Sequence, residues 1–404
     1  RSRGLGDVYK RQLTNMKHWL LSVLLVVCGT VSAQITLVKD GKSSARIIVQ
    51  DKMPNSKTSA QFLQRFLTEI SGVALPIEND KTPRKGDILI GGQSSAEVTE
   101  DGFSISTQDG ILKISGKENG VVYGVVTLLE QYLGINYWGE NEYSLTPSKT
   151  VNLPFINKVE NPGFRYRQTQ CYAIHTDSIY KWWNRLEEPN EVFAAGYWVH
   201  TFDKLLPSSI YGKEHPEYYS YFKGKRHPGK ASQWCLSNPE VFEIVAQRVD
   251  SIFKANPDKH IMSVSQNDGN YTNCTCDACK AIDDYEGALS GSIITFLNKL
   301  AARFPDKEFS TLAYLYTMNP PKHVKPLPNV NIMLCDIDCD REVTLTENAS
   351  GKEFVKAMEG WSKITNNIFV WDYGINFDNY LAPFPNFHIL PVSYTHLTLP
   401  TKLE

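Results

Sequence analysis

The sequence predicts an α/β protein in two parts: a small α/β N-terminal domain, then a TIM-like (β/α)8 barrel truncated before its eighth strand. Three observations predict it. Residues 34–155 place short β-branched runs around two helical stretches with apolar faces. Residues 160–390 alternate apolar runs of strand length with helical stretches, the mark of parallel α/β architecture. Several of those runs end in polar or aromatic clusters, as the rim of a barrel does and an open doubly wound sheet need not.

In the first part, Ala45 to Val49 reads as a strand, and Thr58 to Ile70 as a helix whose inner face is Ala60, Phe62, Leu63, Phe66, Leu67 and Ile70, stopped by Gly72. Asp87 to Gly92 is a buried strand ending in glycines; no Gly-x-Gly-x-x-Gly or P-loop follows, so phosphate binding is not indicated. Phe103–Ile105 and Ile111–Ile114 form a hairpin about Asp109-Gly110, and Gly120 to Leu133 a second helix. In the second part, strands are predicted at 164–171, 195–200, 233–237, 260–266, 309–316, 330–335 and 368–373, with helices at 239–254, 290–304 and 352–364.

The ends read differently. Residues 1–15 (most plainly Arg1 to Gln12) and 391–404 continue no hydrophobic period and are expected to be foreign, adaptor-derived flanks. Residues 16–33 read as a secretory signal: Lys17 and His18, an apolar run from Trp19 to Val27, then Val31-Ser32-Ala33 before a cut at Gln34. That run is too short for a membrane span, and Val27 is bulky for a lipid anchor on Cys28. The expected product is periplasmic or extracellular. The chain's formal charge of −2 becomes about −6 once the leading segments are removed, and no Lys/Arg run occurs, which argues against nucleic acid as partner. Eight Trp and twenty Tyr supply aromatic faces of the kind sugar clefts use.

Two blocks carry a family likeness. Asp101-Gly102-Phe103-Ser104-Ile105 with Gly120 to Gly124 and Leu128-Leu129-Glu130 resembles the non-catalytic domain preceding the barrel in α-glucuronidases and β-hexosaminidases. His215-Pro216-Glu217-Tyr218, Cys235 to Glu240, Ser265 to Gly269, the run Cys274-x-Cys276-x-x-Cys279 and Leu312-Ala313-Tyr314 resemble the bacterial family catalogued as domain of unknown function 4838. The resemblance implies a glycosidase-like barrel acting on a glycan or oligosaccharide. It departs from β-hexosaminidases at the fourth strand, where their Asp-Glu pair is replaced by Asn267-Asp268.

Glycosidic cleavage usually takes two carboxyl groups across the scissile bond. Asp268, after the fourth strand, and Asp372, ending the seventh in Trp371-Asp372-Tyr373, are the candidate catalytic pair, with Asp336, Asp338 and Glu217 behind them. Enclosure by Trp371, Tyr373 and Tyr271 would desolvate Asp268 and raise its pKa. Arg165, His200, Asn267, Trp198, Trp371 and Tyr373 are the candidate sugar-binding residues; Trp182 and Trp183 fit a core as well as a platform. Three readings compete. Two carboxylates facing one pocket indicate a glycoside hydrolase, one carboxylate with aromatics a non-catalytic glycan-binding barrel, and an open metal position a metal-dependent hydrolase.

Cys274, Cys276 and Cys279 suit a structural Zn2+ with a fourth ligand from Cys235, Cys335 or Cys339, Cys235 being preferred. No cofactor is required for catalysis. Export instead invites disulfides, but the seven cysteines beyond the signal are odd in number, and Cys-x-Cys-x-x-Cys is cramped for bridges among its own members.

Overall fold

A computed structural model describes residues 35–50, 54–377, 379–384, 386 and 388–390. The expected export signal and both expected flanks lie outside them. The chain divides into two compact units, Arg1–Glu187 and Glu188–Glu404. No helix among the described residues is long and apolar enough to cross a membrane.

The first unit is built on a six-stranded mixed sheet. Its elements are β1 Ile35–Val38, β2 Ile47–Val49, α1 Pro54–Ser71, β3 Ile77–Asn79, β4 Ile88–Ile90, β5 Phe103–Ser106, β6 Leu112–Gly116, α2 Gly120–Thr127, β7 Asn136–Gly139, β8 Glu142–Ser144, β9 Val151–Leu153 and β10 Asn157–Glu160. The sheet order is β10-β5-β6-β4-β2-β3, parallel from β6 to β3 and antiparallel at β5 and β10. The central strands β2 and β4 are buried at every residue, as strands covered on both faces must be. The predicted α1 face is the observed one: Ala60, Phe62, Leu63, Phe66, Leu67 and Ile70 all join the core. The β5–β6 hairpin turns at Asp109 and Gly110, both at positive φ, where Asp is tolerated and Gly costs nothing. Gly120 opens α2 where a Cβ would meet the Gly102 carbonyl oxygen at 1.9 Å, so only glycine lets the helix lie that close. Strand β10 carries this sheet past the residue-155 boundary read from the sequence.

The second unit holds β11 Tyr221–Phe222, β12 Lys225–Arg226, α3 Pro239–Ala255, β13 Ile261–Ser263, α4 Asp277–Glu286, α5 Gly291–Arg303, β14 Glu308–Ala313, β15 Val330–Cys335, α6 Ala349–Ser362 and β16 Ile368–Trp371. Strands β13 to β16 pair in sequence order, all parallel, with helices in the crossovers. The α/β class and the order, a small mixed unit and then a parallel βα unit, are as predicted; among the described residues the parallel strands do not close into a ring. Asn238 caps α3 by accepting from the Glu240 amide, with Pro239 in the first turn.

Three predicted strands are not strands, and side chains explain why. Residues 164–171 are irregular, with a bend at 164–165: the Arg167 guanidinium donates to the Phe164 and Arg165 carbonyls, folding the chain on itself, and pairs with buried Asp101 at 2.6 Å. Around 195–200 a single parallel bridge joins Phe193 to Ile261, and the chain then breaks at Ala195 and Val199, both at φ 49°. At 233–237 the Gln233 side chain takes the place of a ladder rung: it donates to the Asn267 carbonyl at 2.8 Å and accepts from the Asn267 amide at 2.9 Å.

Strands β15 and β16 carry apolar residues on both faces, and period 2 sorts them into two rows. Ile332, Leu334, Ile368 and Val370 pack with helix residues such as Val245, Leu297 and Phe354. Met333, Cys335, Ile337, Phe369, Trp371 and Tyr373 cluster on the opposite face with Leu312 and Tyr314.

Candidate functional site

A cavity of about 260 Å³ opens on that second row, at the C-terminal ends of β14, β15 and β16. Leu312 and Tyr314 come from β14 and its exit, Cys335 and Ile337 from β15, Trp371 and Tyr373 from β16, with Phe377, His200 and Asp268 completing the lining. Trp198 stacks on Trp371 with ring centroids 5.0 Å apart, and Trp371, Tyr373 and Phe377 continue the aromatic run at 5.9 and 5.6 Å.

Asp268 and His200 are the lining residues with ordinary proton-exchange chemistry. Asp268 accepts a hydrogen bond from the Tyr314 hydroxyl at 3.2 Å. It is exposed, and Tyr271 points to solvent at 70% exposure, so the aromatic enclosure expected of this carboxyl is absent. His200 Nδ1 lies 2.6 Å from the Gln266 carbonyl oxygen. A carbonyl only accepts, so Nδ1 carries the proton and Nε2 of the neutral ring keeps its lone pair. Burial beside Asp268 pushes the Tyr314 hydroxyl up, so it stays a donor.

Asp372 does not share this cavity, and the reason is one residue of register. Cys335 pairs with Trp371, so the next residues, Asp336 and Asp372, fall together on the helix-facing row. There Arg341 bridges them, 2.6 Å from Asp336 and 3.4 Å from Asp372. Burial, then the neighbouring Asp372, push Asp336 up to about 7 against the pull of Arg341. Two like carboxyls side by side hold a proton between them more readily than they both ionise.

The remaining candidates separate cleanly. Asn267 is committed to the fold: its Oδ1 accepts from the Asp203 amide at 3.1 Å and its Nδ2 donates to the Ser232 carbonyl at 2.6 Å. Arg165 is exposed and belongs to the first unit. Trp183 is buried in that unit's core and Trp182 packs against it. Trp198 backs Trp371 rather than lining the cavity. Asp338 is exposed, and Glu217 is exposed and bonded to His215 at 3.0 Å. Tyr314, Ile337 and Phe377 were not predicted as site residues; period-2 alternation from Leu312 and Cys335 past the ends of β14 and β15 is the signal that could have found Tyr314 and Ile337.

Four cysteines do meet. The Sγ atoms of Cys235, Cys274, Cys276 and Cys279 all lie within 4.8 Å of one another, a group able to hold a metal ion. Cys335 and Cys339 are buried elsewhere, and among the described residues every cysteine is a free thiol. The thiols of Cys274 and Cys279 hydrogen-bond Cys235 and hold it well below the usual thiol range, while Cys274, beside Cys235, is pushed up to about 11.

The sequence model of the family described as "Domain of unknown function (DUF4838)" matches residues 137–398. The chain belongs to this family. No curated protein matches the DUF4838 chain. Among solved structures it is similar to the GH20 β-N-acetylhexosaminidase from Streptomyces coelicolor A3(2), at 9% identity over 87% of this chain and 78% of that one, with a TM-score of 0.43. It is similar to a β-N-acetylhexosaminidase from Bacteroides fragilis NCTC 9343 at 11% identity, covering 86% and 78%, with a TM-score of 0.43. It is also similar to the Streptomyces plicatus N-acetyl-β-hexosaminidase in complex with Thio-NAglucal, at 10% identity, covering 87% and 74%, with a TM-score of 0.45.

Proposed function

We propose that this DUF4838 protein is an exported glycoside hydrolase that binds a glycan or oligosaccharide in the cavity above β14–β16 and cleaves a glycosidic bond there. The observation that carries the reading is that Asp268 and His200 face one cavity whose walls are aromatic. Aromatic faces take the apolar face of a sugar ring, while a carboxyl and an imidazole handle its hydroxyls and protons. A bound sugar would cover the exposed Asp268 carboxyl and bring its leaving oxygen within reach of that group. The carboxyl then gives its proton to the leaving oxygen, and His200 Nε2 takes one from the attacking water, so the proton count balances. No cofactor takes part in this chemistry.

A second reading, non-catalytic glycan binding, is favoured by the single carboxylate in the cavity. A glycan and aryl-glycoside screen on the full chain separates the two. Under the first reading Asp268→Asn lowers turnover of the identified substrate on the order of 10²-fold or more while binding survives. Wild-type turnover in that variant ends the assignment, and binding without turnover by the native protein selects the second reading. Export is tested independently: protein recovered from a native-like host should begin at Gln34.

A further inference from the structure

We infer that Cys235, Cys274, Cys276 and Cys279 bind one Zn2+ in a closed four-thiolate site, which staples the segment leaving β13 to the segment entering α3. The inference is independent of the glycan reading.

The geometry comes first. A tetrahedral Zn–S4 centre with bonds of about 2.3 Å places its sulfurs about 3.8 Å apart. The Sγ atom of Cys235 lies 3.6 Å from that of Cys276 and 4.0 Å from that of Cys279. A disulfide needs about 2.05 Å, so neither of these separations is a bonded pair. The four sulfurs pack as a small cluster of their own with Tyr221, and three of the four residues are buried.

The surroundings suit the charge such a centre would carry. Four thiolates on Zn2+ leave a net charge of −2, and the cluster is served by donors. The Tyr221 amide reaches Cys274 at 3.3 Å, and the Arg226 guanidinium lies 3.6 Å from the same sulfur. The Ser237 hydroxyl lies 3.1 Å from Cys279, 3.6 Å from Cys235 and 3.8 Å from Cys276, placed to donate to a thiolate. Outer donors of this kind orient metal ligands and blunt their charge. The set contains only sulfur, with no place kept for water, so the site is structural rather than catalytic.

The topology says what the metal does. Cys274 and Cys276 lie in the loop after β13, Cys279 in the first turn of α4, and Cys235 just before α3. Near the start of this loop Gln233 holds Asn267 by two hydrogen bonds, and the metal would hold its far end. Asp268 lies between the two fastenings.

The test uses the full chain purified without chelators. One zinc per chain by elemental analysis is expected, with release of that zinc as four thiols react with a mercurial. Exchange for Co2+ should give the strong visible bands of tetrahedral cobalt thiolate. Cys276→Ser, the least buried ligand, should weaken zinc retention on the order of 100-fold or more, whereas Cys171→Ser, an exposed thiol in the first unit, should leave it unchanged. If Cys276→Ser does not fold, the mercurial titration of the native protein still decides. No metal, stoichiometric iron instead of zinc, or a mapped disulfide among these four residues would overturn the inference.

Discussion

The two faces of the β15–β16 pair present opposite chemistry one residue apart. Toward the cavity stand Cys335, Ile337, Trp371 and Tyr373; toward the helices stand Asp336 and Asp372, clamped by Arg341. The aromatic row meets space, and the acidic row is consumed internally. A carboxylate at the C-terminal end of a parallel strand is therefore only half of a catalytic argument. The other half is which way the pleat turns it.

The comparison breaks most visibly at Arg341. Arg341→Leu leaves buried Asp336 and half-buried Asp372 without their cation and should cost about 3 kcal/mol in urea unfolding. If the loss is small, the acidic row is more open to water than its 4% exposure at Asp336 implies. The same row gives a pH signature. The folded carboxyl of Asp336 sits at about 7, above the ordinary unfolded value, so the folded state binds the extra proton. Stability from this group is present in full below about pH 4 and fades as pH rises through about 7. Asp283, pushed up by burial to about 6, contributes in the same sense over the lower part of that window. Asp336→Asn should flatten the slope between about pH 4 and 7, measured as chemical denaturation at several pH values; an unchanged slope would place the proton elsewhere.

Smaller effects sharpen the contrast between residues that build the site and residues that face it. Asn267→Ala removes two hydrogen bonds at a buried position and should cost about 2 kcal/mol of stability. Phe377→Ala, half-exposed on the cavity wall, should leave the melting temperature in place and weaken glycan binding about fivefold, near 1 kcal/mol. A stability loss for Phe377→Ala with affinity intact would reverse its place in the comparison.

Much of this was legible in the sequence because it is local. The α1 face follows a 3.6 period, the β5–β6 turn follows Asp109-Gly110, and three of the four clustered cysteines lie within six residues. What escaped was long-range or of odd parity. Gln233 and Asn267 meet across 34 residues through an amide that imitates backbone, so no strand pattern marks the contact. Asp372 sat at the right strand end with the wrong parity, and Arg341 follows Asp336 in a loop with no period to point at its partners. Cys235, 39 residues before Cys274, was reachable only because thiols are few enough to enumerate.

One consequence concerns time rather than geometry. Asp268 is exposed and is followed by Gly269, which has no side chain to shield its amide nitrogen. Exposed Asp-Gly bonds are where proteins age: that nitrogen attacks the side-chain carbonyl carbon and water leaves, and a second water then opens the ring at the backbone carbonyl to give isoaspartate, with the carboxyl displaced along a lengthened backbone. A stored preparation would then lose function in step with isoaspartate at this peptide while its melting curve held still. Peptide mapping of aged samples reads both clocks, and the candidate site has a shelf life set by its own sequence.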